Sequence, residues 1–144
     1  MDEMIHAPKP WVQVAIFCQT AIIEANTGTM SIIKNIDGVT LSGKTPDMQP
    51  SPVQLTLALI LKSGDMKGQY SVKIRCNTPS ETATEGPSFP LNFEGGDRGI
   101  QTAIPFGFIA TESGIYWFDL LIDGQVITRM PVRVMYQQIQ MQGM

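Results

Sequence analysis

The side chains able to do chemistry are few in this sequence, and they stand far apart. His6 is the single histidine, which removes most histidine-dependent triads, histidine-based zinc sites and histidine general bases. A cysteine nucleophile needs a base beside it, and Cys18 and Cys76 fall at strand positions expected to be buried. They read as core thiols. The carboxylates with a conceivable metal role are Asp37, Glu94, Asp97, Asp119 and Asp123. Asp37 and Asp123 are the first residues of Asp-Gly turns, and the rest are too dispersed to form a calcium-ligand run. No motif brings two carboxylates together for hydrolysis. Gly95-Gly96-Asp97-Arg98-Gly99 is dense in glycine, but it lacks the Lys-Ser/Thr ending of a phosphate loop and opens no helical pattern. No catalytic residue, metal site or cofactor is expected.

The elements that would position any site are strands. In Val53 to Lys62 one face carries Val53, Leu55, Leu57, Leu59 and Leu61 while the other carries mainly Gln54, Thr56 and Lys62, the period-two pattern of a half-buried strand. The next segment repeats it, with Tyr70, Val72, Ile74 and Cys76 inward. Ser63 to Gly68 then reads as a hairpin loop between the two. Near the C-terminus Tyr116, Phe118, Leu120 and Ile122 share a face, and Asp123-Gly124 supplies a strong hairpin signal before a return strand over 125–135. Ile100, Thr102, Ile104, Phe106 and Phe108 mark the strand before them. Val12 to Cys18 and about 30–36 complete the set, giving seven to eight strands. The stretches 39–52 and 77–99, rich in Thr, Ser, Pro and Gly, read as long connections between sheets.

The expected fold is therefore an all-β, antiparallel two-sheet sandwich of immunoglobulin-like or C2-like Greek-key type. One domain over 1–144 is expected, with an N-terminal arm at about 1–10 and a C-terminal tail at about 136–144. The separation of Cys18 and Cys76 is similar to that of the inter-sheet pair of immunoglobulin domains, yet Trp11 precedes the first cysteine and Trp117 follows the second, so the accompanying tryptophan is misplaced.

The net charge of −3 and the scattered Lys and Arg exclude an electrostatic footprint for nucleic acid. The acidic start Met1-Asp2-Glu3 is unlike an export signal, and the longest apolar run falls far short of a membrane span. A cytoplasmic protein with free thiols follows, or a virion-associated one if the chain is phage-encoded.

Two stretches, Gly28 to Gly38 and Gly114 to Gly124 running on to Pro131-Val132-Arg133-Val134, resemble a family of small bacterial and phage-associated β-sandwich proteins of unassigned function. The resemblance implies a sandwich and brings no catalytic residues with it.

What remains is apolar residues on the wrong face. If Leu57 and Leu59 point inward, Ala58 and Ile60 point outward; if Phe118 and Leu120 point inward, Ile115 and Trp117 do not. Phe17 likewise opposes Val14, Ile16 and Cys18. Trp117, Ile60 and Phe17 are thus the expected partner-binding residues of a non-enzymatic interaction or assembly module, engaging another protein or copies of itself. The alternative is a small-ligand or carbohydrate binder in which Trp11, Trp117 and Tyr136 stack on a sugar.

Overall fold

The computed structural model describes residues 10–139, so His6 and most of the expected N-terminal arm lie outside the described residues. Seven strands run in the order β1 (Trp11–Ile23), β2 (Met30–Asn35), β3 (Gly38–Gly43), β4 (Ser51–Asn77), β5 (Ala83–Ala110), β6 (Gly114–Ile122) and β7 (Gln125–Gln138). No helix occurs among the described residues, and none is long and apolar enough to cross a membrane.

The strands form one open sheet in the order β2-β1-β4-β6-β7-β3, with β5 pairing β4. All pairings are antiparallel except that of β3 with β7, which is parallel. This corrects the expectation of two separate sheets. The reason lies in β4 and β5, which are 27 and 28 residues long and pair with each other from Ser51↔Ala110 to Asn77↔Ala83. Ser63 to Gly68 is an interruption within β4 rather than a hairpin loop, and most of 77–99 is strand rather than connection. The early part of β5 is largely exposed, so main-chain bonds to β4 hold it where no apolar pattern would advertise it. The other expected connection, 39–52, likewise contains most of β3.

Register shifts in the β4–β5 ribbon cluster at Lys62/Gly64 and Gly64/Lys67, where Gly64, Gly68, Gly95 and Gly96 all have positive φ. Glycine tolerates that backbone without Cβ strain. The ribbon changes course there. β1 pairs with β4 before the interruption, at Thr56 to Lys62, and β6 pairs after it, at Val72 to Asn77. The two halves of the one sheet close on a common core. Phe17 of β1 packs against Phe118 of β6 and Phe106 of β5, with ring centroids 5.3 Å apart in each pair, and Phe118 also meets Phe106 and Phe108 edge to face. Leu57, Leu59 and Leu61 from the first half and Val72, Ile74, Leu120 and Val132 from the second complete the buried cluster.

Phe17 was expected on the outer surface and is instead 2% exposed within this core. A register shift between Val12 and Val14 is the cause: it places Val12, Ala15 and Phe17 opposite the core residues Leu61, Leu59 and Leu57. An extra residue in a strand reverses the parity of everything beyond it. Ile16 and Cys18, expected inside, are opposite the outward Ala58 and Thr56. Cys18 is nevertheless buried and Cys76 half-buried, both as free thiols, and burial pushes both thiol pKa values upward. Of the expected C-terminal tail, Tyr136 to Gln138 continue β7, and the Ile139 amide donates to the Gly43 carbonyl at 2.7 Å.

Candidate functional site

On the second half of the sheet, the residues that alternate with the core make an outer face carried by β4, β6 and β7. Val72 and Ile74, Tyr116 and Phe118, and Met130 and Val132 point into the core, so Lys73, Arg75 and Asn77, Trp117 and Asp119, and Arg129 and Pro131 stand on the other side. Cross-strand pairing sets Asp119 beside both Arg75 and Arg129, and Trp117 beside both Asn77 and Pro131.

Asp119 is 1% exposed although it sits on an outer face. Its Oδ2 accepts from Arg75 Nη2 at 2.8 Å, Arg75 Nε at 3.2 Å and Asn77 Nδ2 at 3.0 Å. Oδ1 lies 3.2 Å from Arg129 Nε without hydrogen-bond geometry, an ion-pair contact rather than a directed bond. A carboxylate withdrawn from water needs such partners. The arrangement fixes the two arginines and the amide around one buried charge. Asn77 Nδ2 also donates to the Trp117 carbonyl at 3.1 Å, which ties the cluster to the tryptophan's backbone. Nearby, Lys73 Nζ donates to Glu85 at 2.7 Å and holds that exposed carboxyl below the usual glutamate range.

Trp117, 42% exposed, borders a hollow of about 550 Å³ lined also by Asn77, Thr78, Pro79, Glu81, Ile115 and Arg129. One wall is the turn between β4 and β5. Thr78 organises it: its amide donates to the Thr82 carbonyl at 3.0 Å, its carbonyl accepts from the Glu81 amide at 2.8 Å, and its hydroxyl accepts from the Thr82 amide at 3.0 Å. Glu81 has φ of 66°, a left-handed conformation that is uncommon for a residue with a side chain. The turn leans on Gly114, where φ is 132° and an added Cβ would come within 2.7 Å of Pro79 Cβ. Only glycine leaves room there. Tyr116 secures the adjoining loop, its hydroxyl accepting from the Thr111 and Glu112 amides at 3.1 Å and donating to the Glu112 carbonyl at 2.8 Å.

The three residues expected to form a partner surface are not brought together. Trp117 faces outward from the second half, Ile60 faces outward from the first half, and Phe17 is in the core between them. Ile60 borders a different hollow of about 530 Å³ with Val14, Lys62 and Gln101. Trp11, 69% exposed at the start of β1, and Tyr136, whose hydroxyl donates to the Thr45 carbonyl at 2.6 Å, do not line the Trp117 hollow, so the expected aromatic trio is dispersed. Arg75, Asn77 and Arg129 were not among the expected site residues. The available signal was Asp119 itself, a carboxylate embedded in the apolar run Tyr116 to Ile122. Among the described residues no group of three or more His, Cys, Asp or Glu could hold a metal ion, and Gly95 and Gly96 serve the bend of β5.

No curated protein sequence matches the chain. Among solved structures, the alkylpurine DNA glycosylase AlkC of Pseudomonas fluorescens, bound to DNA containing an abasic site analog, overlaps with a TM-score of 0.45 at 12% identity. The overlap covers 68% of this chain and 27% of that one. Its reaction and its DNA belong to that protein. The exclusion of nucleic acid drawn above from net charge is not carried forward, and an overlap of this extent assigns no partner to this chain. At the level of family the result is direct: residues 13–135 match DUF6941, a family of unknown function, and the chain belongs to that family.

Proposed function

We propose that this chain is a non-enzymatic interaction module whose Trp117 face seats a segment of another protein. The observation that carries the reading is Trp117, exposed at the rim of a hollow, with Arg129 in the same wall and held beside the buried Asp119. Tryptophan and arginine dominate the binding energy of protein interfaces. Here the polar members are fixed in advance by Asp119, which lowers the ordering cost of binding. The lining offers an aromatic surface, an amide, a carboxylate and a guanidinium, which suit an extended segment bearing an apolar side chain and a hydrogen-bonding or acidic neighbour. The setting we propose, from the resemblance noted above, is a bacterial or phage assembly in the cytoplasm or the virion.

A second reading is supported by the concavity of the same place. A hollow joining Trp117 to Asn77 and Glu81 suits a sugar, with the indole stacking on a pyranose face. The dispersal of Trp11 and Tyr136 weighs against it.

Panning a random-peptide library on the wild type and on Trp117→Ser, beside an oligosaccharide array on both, separates the readings. Peptides enriched on the wild type should lose about 2 kcal/mol or more of affinity on a Trp117→Ser protein whose melting shows it folded. Trp117-dependent glycan binding without peptide binding would turn the assignment to the second reading. Peptide binding indifferent to Trp117 would remove both from this hollow.

A further inference from the structure

We infer that the segment seated on the Trp117 face carries two acidic residues, one on each side of its apolar anchor, held by Arg129 and Arg133 of β7. The inference rests on the reading of Trp117 as a protein-binding residue and adds the partner's chemistry to it.

The outer row of β7 is Arg129, Pro131 and Arg133, because Met130, Val132 and Val134 alternate with them into the core. Pro131 stands opposite Trp117, so the two arginines bracket the indole along the strand. Neither β7 nor β3 beside it contains a carboxylate. Elsewhere on the face the cations are answered, Lys73 by Glu85 and Arg75 by Asp119. Those of β7 are left over. Arg129 meets Asp119 through Nε at 3.2 Å and is otherwise exposed. Arg133 is exposed and makes no ion pair with a carboxylate among the described residues, and its neighbour Asp37 reaches it through the backbone, the Asp37 carbonyl accepting from the Arg133 amide at 3.0 Å. On a chain of net charge −3 this strip reverses the sign locally, and complementary charge is what selects and orients a partner.

The spacing fixes the pattern. Residues 129 and 133 of one strand lie about 13 Å apart, and an extended segment aligned with β7 sets its own alternate residues over Arg129, Pro131 and Arg133. The sequence that fits is acid, any residue, apolar, any residue, acid. Its apolar side chain rests on Trp117 and Pro131, and each carboxylate takes a guanidinium. Glu81, in the turn that follows Asn77 on the other side of Trp117, repels an acid displaced toward β4 and so keeps the segment over β7. Addition of a strand at the free edge of β7 is a different mode, and Pro131 opposes it. The Arg133 amide points to that edge, where it meets Asp37, and the proline nitrogen two residues earlier faces the same way with no proton to give. The partner lies across the face.

A random-peptide library panned on the wild type at low salt tests this, followed by titration of the enriched peptides, of counterparts with Asp and Glu changed to Asn and Gln, and of a thymidine oligonucleotide. Enriched peptides should carry the spaced acids, and loss of both acids or the change Arg133→Glu should each weaken binding about tenfold or more. Glu81→Gln should bind at least as tightly as the wild type. Arg133→Gln, with a loss of about threefold, keeps the test open if Arg133→Glu does not fold. Trp117-dependent peptides that lack acids or ignore both Arg133 variants overturn the inference and leave the proposed function standing. Peptides indifferent to Trp117, or no enrichment at all, overturn both. An oligonucleotide that binds more tightly than the peptides and is lost in Arg133→Glu would give the arginines to a phosphate chain and overturn the acidic segment.

Discussion

Asp119 and Arg75, on neighbouring strands β6 and β4, meet at 2.8 Å across a face that should have been open to water, and the aspartate is covered almost completely. The pair is unequal. Arg75 retains partial access to solvent while Asp119 has none to speak of, so the two ends respond differently to mutation.

Arg75→Met is expected to cost about 3 kcal/mol, because it strands a buried carboxylate with only Asn77 and the more exposed Arg129 beside it. Asp119→Asn removes the buried charge and leaves two arginines that can reach water, so its cost should be smaller, about 1 to 2 kcal/mol. Denaturant melts of the two variants check the order. A less stable Asp119→Asn would show that the arginines, not the carboxylate, depend on the pair.

Phe17→Ala should destabilise the chain by about 3 to 5 kcal/mol, the cost of emptying an aromatic site in a core. Phe17 touches Phe106 and Phe118, so the loss is felt where the two halves of the sheet meet. A change below about half a kcal/mol in urea melts would return Phe17 to the surface and invalidate the register of β1.

That register shows where sequence stops being legible. The inward sets of β4 and β6, and the Asp123-Gly124 turn with both residues at positive φ, follow from period-two alternation and turn chemistry. The shift at Val12/Val14 leaves no mark in composition, yet it decides which of Phe17 and Cys18 joins the core cluster. The first part of β5 was invisible for another reason. It is held by main-chain bonds on one side only, and Pro87 and Pro90 are tolerated because no strand pairs with its outer edge. The Asp119 cluster draws on strands far apart in sequence, so nothing local announced it.

Cys18 and Cys76 should react slowly with a thiol reagent in the native state, Cys18 more slowly because it is the more buried. Burial raises both folded-state pKa values above the ordinary 9.0. Their contribution to stability is therefore fully present below that value and is lost as pH rises through the raised one, since the unfolded chain ionises first. Reagent kinetics with and without denaturant, and melts above pH 9 on Cys18→Ala and Cys76→Ala, report this. Rapid native labelling of Cys18 would contradict the burial.

Gly114→Ala tests whether the wall of the Trp117 hollow is positioned by β6. The glycine has φ of 132°, and the new methyl would fall 2.7 Å from Pro79 Cβ. Both the backbone and the contact oppose the change, so a loss of about 1 to 3 kcal/mol in stability is expected. Stability alone would not separate a local effect from a general one. Pro79, Glu81 and the Thr78 hydrogen bonds belong to one turn, and a methyl at Gly114 pushes that turn away from Trp117. Trp117 should then become more accessible, and acrylamide quenching of its fluorescence in a Trp11→Phe background should rise relative to the Trp11→Phe parent. The Arg75–Asp119 pair is set by the pairing of β4 with β6 rather than by the turn, so the cost of Arg75→Met should be the same in either background. If quenching is unchanged while stability falls, the turn has moved with β6 as one unit and Gly114 does not shape the hollow.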